Sequence, residues 1–190
     1  LVISHLARNL RREAALARLN EQRARQLQAL ATDLAAAQGP ALVQALGLQA
    51  LQQAFAGPVR LALVGPDGSL ALGEDGPVLE RDGLRQCVRD NAVLGPGTGR
   101  WPGLNGWYLP VGDAGQVLGA ALVQPAAAAD AQGRAHATAV AALLGQALLR
   151  LRLRDAMQVA QDEVQRQQLL NTFLAAISHD LRTPLAAIVG

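Results

Sequence analysis

Leu6, Leu10, Leu27, Leu30 and Leu34 recur at helical spacing among Arg, Glu and Gln, and no Pro or Gly interrupts residues 6–38. Apolar side chains three or four residues apart share one side of an α-helix, so this stretch predicts a single long helix. Gly39-Pro40 closes it, because Pro lacks an amide hydrogen and disfavours helix at the residue before it. A shorter helix is expected over residues 41–55. Beyond Gly57-Pro58 the period changes. Val59-Arg60-Leu61-Ala62-Leu63-Val64 alternates in part and ends at the turn Pro66-Asp67-Gly68, so Ser69 to Leu72 should return as a partner strand.

Residues 78–93 read as an amphipathic helix, and residues 95–106, rich in Gly and Pro, as a loop. Trp107 to Val111, the turn Gly112-Asp113-Ala114-Gly115 and residues 116–124 predict a hairpin whose second strand is apolar and buried. Strands and helices mix without βαβ regularity, which predicts an α+β sheet domain closed by Pro125. From Asp130 the chain is again helical, with no Pro before Pro184. Leu153, Met157, Ala160 and Val164 keep a 4-3-4 spacing, and Leu170, Leu174, Ile177 and Leu181 keep another that is slipped by one residue. A dimeric coiled coil leading into a helical bundle accounts for both runs.

Composition narrows the chemistry. Hydrophobic residues make up 51% of the 190 positions but aromatics only 3%, so the core must be built from Leu, Ala and Val, which suits helices. All 17 basic residues are Arg, and the net charge of +2 is too small for a nucleic-acid surface, so nucleic acid is not an expected partner. Cys87 is the only cysteine; it allows no internal disulfide and no cysteine-based metal site, and it fits a reducing compartment as a small buried hydrophobe. The apolar opening, residues 1–6, is far shorter than the roughly 20 residues needed to span a bilayer. Arg8, Arg11 and Arg12 follow at once, as they would on the cytoplasmic side of a membrane helix ending there, or as ordinary solvated residues at a helix start.

The stretch with the clearest chemistry runs from Phe173 to Leu185. On a helix Leu174, Ile177, Leu181, Leu185 and Ile188 share a face, which leaves His179 and Asp180 toward solvent. An ordinary imidazole, with a pKa of about 6.5, is largely neutral at pH 7, so a ring nitrogen is free to attack phosphorus. A neighbouring carboxylate accepts a hydrogen bond from the other nitrogen, and Asp180 supplies one. Pro184 should kink the helix just past the pair. A lone His-Asp pair is usually plain surface. The string Ser178-His179-Asp180-Leu181-Arg182-Thr183-Pro184-Leu185 is far more specific.

That string resembles the H box of sensor histidine kinases. The resemblance implies that His179 is the phosphoacceptor, Asp180 the general base, and Thr183 the residue that orients water in dephosphorylation, with Arg182 and Pro184 in supporting roles. Glu is the commoner acid after the histidine, so Asp180 is a shorter variant. Arg11-Arg12, Glu21-Gln22-Arg23 and Leu27 to Leu34 look like the segment after the last membrane helix of potassium-responsive sensor kinases of the KdpD type. Gly95-Pro96-Gly97-Thr98-Gly99, Leu109-Pro110-Val111 and Leu118-Gly119-Ala120-Ala121-Leu122-Val123 are similar to later strands of the GAF-like domain of such kinases.

The resemblance implies an order: the end of a transmembrane helix at 1–6, a juxtamembrane helix at 7–38, a GAF-like domain at 40–128, a signalling coiled coil at 130–165, and the first helix of the dimerisation and phosphoacceptor hairpin at 166–190. It also implies a homodimer on the cytoplasmic side of the inner membrane, phosphorylated by ATP with Mg2+ held on a separate domain, and a cognate response regulator as partner. No Asn-bearing or Gly-rich ATP-binding domain lies in this sequence, so the chain alone is expected neither to bind ATP nor to phosphorylate itself. The loop at Gly95 to Gly99 lacks the Gly-Lys-Ser/Thr of a phosphate cradle. His5 and His136 lack carboxylate or cysteine partners at ligand spacing, so no metal is expected. Trp101, Trp107 and Tyr108 could line a ligand pocket, though packing is their commoner use. Two rival readings remain: a non-catalytic GAF-containing adaptor with a vestigial H box, and a membrane-anchored scaffold.

Overall fold

The structure, a computed structural model, describes residues 2–72, 76–113, 115–125 and 130–189. Leu1 of the expected membrane end, Ala114 of the hairpin turn, the expected domain end at 128 and Gly190 lie outside the described residues. The chain forms two units, Leu1–Leu149 and Arg150–Gly190. The elements are α1 (Val2–Ala36), α2 (Pro40–Ala54), β1 (Val59–Leu63), α3 (Val78–Asp90), β2 (Trp107–Gly112), β3 (Val117–Val123) and α4 (Ala131–Val189), the last contributing to both units.

In the first unit the sheet is antiparallel in the order β1-β3-β2. Strand β3 is central, pairing Val123 with both Val59 and Trp107, and this explains its apolar run: apart from Val117, every residue of it is buried. Alternation along the strands then sorts the side chains to two faces. Tyr108, Ala120 and Leu122 meet Leu84 and Cys87 of α3 together with Leu94 in one buried cluster. On the other face Trp107 stacks edge-on against Phe55, the residue that ends α2, with ring centroids 6.1 Å apart.

Helix ends follow local chemistry. Pro40 stands in the first turn of α2, where its fixed φ suits the helix and its missing amide hydrogen has no partner to lose. Helix α3 stops at Asp90 rather than running to 93, because Asn91 adopts the left-handed conformation (φ 45°) that terminates helices. The partner strand expected at Ser69 to Leu72 shrinks to a single bridge, Val64 to Leu70. Asp67 accepts hydrogen bonds from the Ser69 amide and hydroxyl, and Leu72 donates to the Leu70 carbonyl at 2.8 Å. These local bonds turn the backbone away before a ladder can form.

Asp130 caps α4: its Oδ1 accepts from the Gly133 amide at 2.7 Å, and its Oδ2 lies 3.7 Å from Arg23 of α1. Farther along, Ala137, Val140, Ala141 and Leu144 are buried, and Gly145 lies on Gly112 of β2. A Cβ at 145 would sit 2.5 Å from the Gly112 nitrogen and 2.6 Å from its oxygen. Helix propensity alone favours Ala over Gly by about 1 kcal/mol. Forcing a methyl group into packed structure costs about 1–3 kcal/mol, and here the obstacle is backbone. Gly145→Ala is therefore expected to lower the urea midpoint; a raised midpoint would show that α4 is not seated on Gly112.

The second unit is helical from Arg150 to Val189. Leu153, Met157, Val164, Leu170, Leu174, Ile177, Leu181, Leu185 and Ile188 are all exposed on it in the single chain.

Candidate functional site

Helical geometry fixes how the side chains of Ser178 to Leu185 are displayed. At about 100° per residue, His179 stands on the opposite side of α4 from Ile177 and Leu181, and Thr183 follows it one turn later on the same side. The side chains of His179 and Asp180 are 84% and 86% exposed, so nothing in the unit blocks either ring nitrogen. Ala175 and Ala176, one turn before the histidine, are small and leave that side of the helix open.

His179 Nδ1 and Asp180 Oδ1 are 3.6 Å apart, beyond a hydrogen bond but within the reach of one side-chain rotation. Thr183 Oγ1 donates to the His179 carbonyl at 3.3 Å, which parks the hydroxyl on the backbone. Helix α4 contains Pro184 and continues to Val189, so this residue does not end the helix. Because Pro184 has no amide hydrogen, the Asp180 carbonyl lacks its usual i+4 donor.

The aromatic residues considered for a ligand pocket are divided by the fold. Trp107 and Tyr108 are buried in the core on opposite sheet faces, while Trp101 is 58% exposed on the loop. Cys87 is fully buried, and burial pushes its thiol up to about 12 with a smaller contribution from Asp90, so it stays protonated and inert. Among the described residues no three His, Cys, Asp or Glu side chains are grouped as a metal site, and no helix is long and apolar enough to cross a membrane.

Sequence reasoning weighed His136 only as a metal ligand and set it aside. It is buried near the start of α4, its Nδ1 has no hydrogen-bond partner, and it packs 6.2 Å from the Phe55 ring. Burial, and secondly the nearby Arg23 guanidinium, hold its pKa below the usual histidine value. The unfolded chain takes up this proton near about pH 6.5 while the folded chain still refuses it, so stability falls as pH drops below that point. His136→Leu is expected to flatten the decline in urea midpoint between pH 7 and pH 5.5. An unchanged slope would assign the decline to other groups. The signal available in the sequence was the apolar setting of His136, between Ala135 and Ala137.

No family model matches the chain. In sequence it is 31% identical over 197 residues to the sensor protein KdpD of Escherichia coli (strain K12), a match covering 100% of this chain and 22% of that protein. The chain thus spans 22% of the length of the curated relative it matches. In fold it is similar to the crystal structure of the native GAF domain of the potassium sensor histidine kinase KdpD from Escherichia coli, with a TM-score of 0.62 at 20% identity, covering 71% of this chain and 99% of that domain. Sequence along the whole chain and fold over most of it converge on one likeness: the chain is similar to a segment of KdpD-type sensor proteins, and its α+β fold is that of a GAF domain.

Proposed function

We propose that this chain is the GAF-like and phosphoacceptor part of a two-component sensor histidine kinase in potassium or osmotic signalling. His179 is the residue phosphorylated. The observation that carries the reading is an exposed imidazole, opposite an apolar helix seam, with a carboxylate beside it in the string Ser178 to Leu185. The similarity to the KdpD sensor protein along the whole chain supports it.

In this reading ATP, held with Mg2+ on a separate domain of the same or the partner subunit, supplies the phosphoryl group. A neutral ring nitrogen of His179 attacks the γ-phosphorus, the bond to the bridging oxygen breaks, and ADP departs. Asp180 takes the proton from the other ring nitrogen and stabilises the charge that develops on the ring. The phosphoryl group then passes to a carboxylate oxygen of a response regulator aspartate, which restores His179. When Thr183 leaves the His179 carbonyl, its hydroxyl is free to orient a water that hydrolyses the aspartyl phosphate of the regulator and releases inorganic phosphate. Arg182 lies one turn from the histidine and supplies positive charge near the transferred group, and Pro184 frees the Asp180 carbonyl.

The apolar seam from Leu153 to Ile188 is assigned to a homodimer, since so long an exposed stripe needs a partner to bury it. Residues 1–6 are placed at the end of a membrane helix and 7–38 just inside the membrane, on its cytoplasmic side. The GAF-like domain is placed at 40–128, the signalling coil at 130–165 and the phosphoacceptor helix at 166–190.

The test mixes the full chain with a histidine-kinase ATP-binding domain and labelled ATP. Acid-labile, alkali-stable label mapping to the peptide that contains His179 is expected. A dimeric chain that takes up no label would favour a non-catalytic adaptor with a vestigial H box.

A further inference from the structure

We propose that the cleft between α1, α2 and the start of α4 is a binding site for a small organic cation: an alkylammonium or guanidinium group on a short apolar body. The cleft has a volume of about 140 Å³. A cavity of that order holds a molecule the size of benzene, so the ligand has about six non-hydrogen atoms.

None of the side chains lining it carries a fixed positive charge. Asp33 brings a carboxylate, Gln26, Gln49 and Gln53 bring amides, and no Arg lines the cleft. At its floor His136 is only 6% exposed, and its Nδ1 has no hydrogen-bond partner. A buried polar atom left unpaired is costly, and it is relieved by a ligand that brings the missing partner. With the imidazole neutral, an N–H donor from the ligand satisfies the nitrogen and a positive charge satisfies Asp33. Arg23 is the nearby cation that would oppose this, but its guanidinium is directed to Asp130 at 3.7 Å. Leu30, Leu46 and Val140 supply apolar wall, which favours an organic body over a bare ion or water alone.

The three walls belong to three helices, so a bound cation fastens α1 and α2 to the first turns of α4. This site does not depend on phosphoryl transfer at His179 and is tested without it. The full chain is titrated with n-butylammonium chloride while the His136 ring and the backbone amides of 133–140 are followed by NMR. Saturable shifts in the millimolar range are expected, with affinity about 10-fold lower in Asp33→Asn. Asp33 is exposed, so that variant keeps the fold. Equal shifts with sodium or potassium chloride at the same ionic strength would overturn the proposal, because the site would then only be reporting salt. Equally tight binding of n-butanol, or unchanged affinity in Asp33→Asn, would also overturn it, because charge would play no part.

Discussion

His179→Gln is expected to take up no label from ATP, and Asp180→Asn to take it up about 10²–10⁴-fold more slowly than the natural chain, the range typical of losing a positioned general base. The two variants separate two roles that the geometry places side by side. Gln keeps the size and polarity of the position but has no nitrogen lone pair to form the phosphoramidate. Asn keeps the shape of Asp180 but can neither take the ring proton nor offset the positive charge on the ring. Because both side chains are more than four-fifths exposed, neither change should move the urea midpoint, so a loss of label is read as chemistry and not unfolding. Asp180→Glu is expected to stay within about 10-fold of the natural rate, since a rotation already has to close the 3.6 Å gap and a longer arm closes it as well. Thr183→Ala should leave phosphorylation intact and slow removal of the phosphoryl group from the regulator. If Asp180→Asn labels at the natural rate, proton transfer does not pass through this carboxylate.

The sequence announced its helices and hairpin because their signals are local. Gly39-Pro40 ends one helix and starts the next, and the apolar run of β3 marks a strand buried on both faces. What stayed hidden depends either on which of several competing local hydrogen bonds forms or on residues far apart in the chain. Nothing in the pattern at residues 69–72 predicts that Asp67 will capture Ser69 and spoil the ladder. Nothing near position 136 predicts that α1 and α2 will close over the imidazole, or that Arg23 will reach Asp130 across more than a hundred residues. The stretch from Ser178 to Leu185 was the opposite case. Its residues lie within two turns of one helix, so their mutual placement follows from helical geometry alone, and the fold adds only their exposure. The apolar seam of α4 was equally legible as a periodicity.

The two tryptophans of this chain should respond to substitution in opposite ways. Trp107 is fully buried, packs edge-on against Phe55 and donates from Nε1 to the Pro96 carbonyl at 3.2 Å. It thus ties the end of α2 and the 95–106 loop to the sheet. Trp107→Ala is expected to cost about 3–5 kcal/mol, the range for removing a large aromatic from a core. Part of that loss is the edge-on ring pair, worth about 0.5–1.5 kcal/mol, and part is one of the two hydrogen bonds to the Pro96 carbonyl, which keeps its donor Arg134 Nη1 at 3.1 Å. Trp101 instead sits 58% exposed with φ at 54°, a backbone region that penalises a bulky side chain. Trp101→Gly relieves that strain while loosening the unfolded chain, two effects of about 1 kcal/mol each with opposite signs, so stability should hardly change. Fluorescence gives an internal check on both variants. Trp101→Gly leaves the buried ring as the only emitter, so its emission should be blue-shifted and move red on unfolding. Trp107→Ala leaves an exposed ring whose emission should barely move. Should Trp101→Gly destabilise the chain as much as Trp107→Ala, the division of the two rings between core and loop would be wrong.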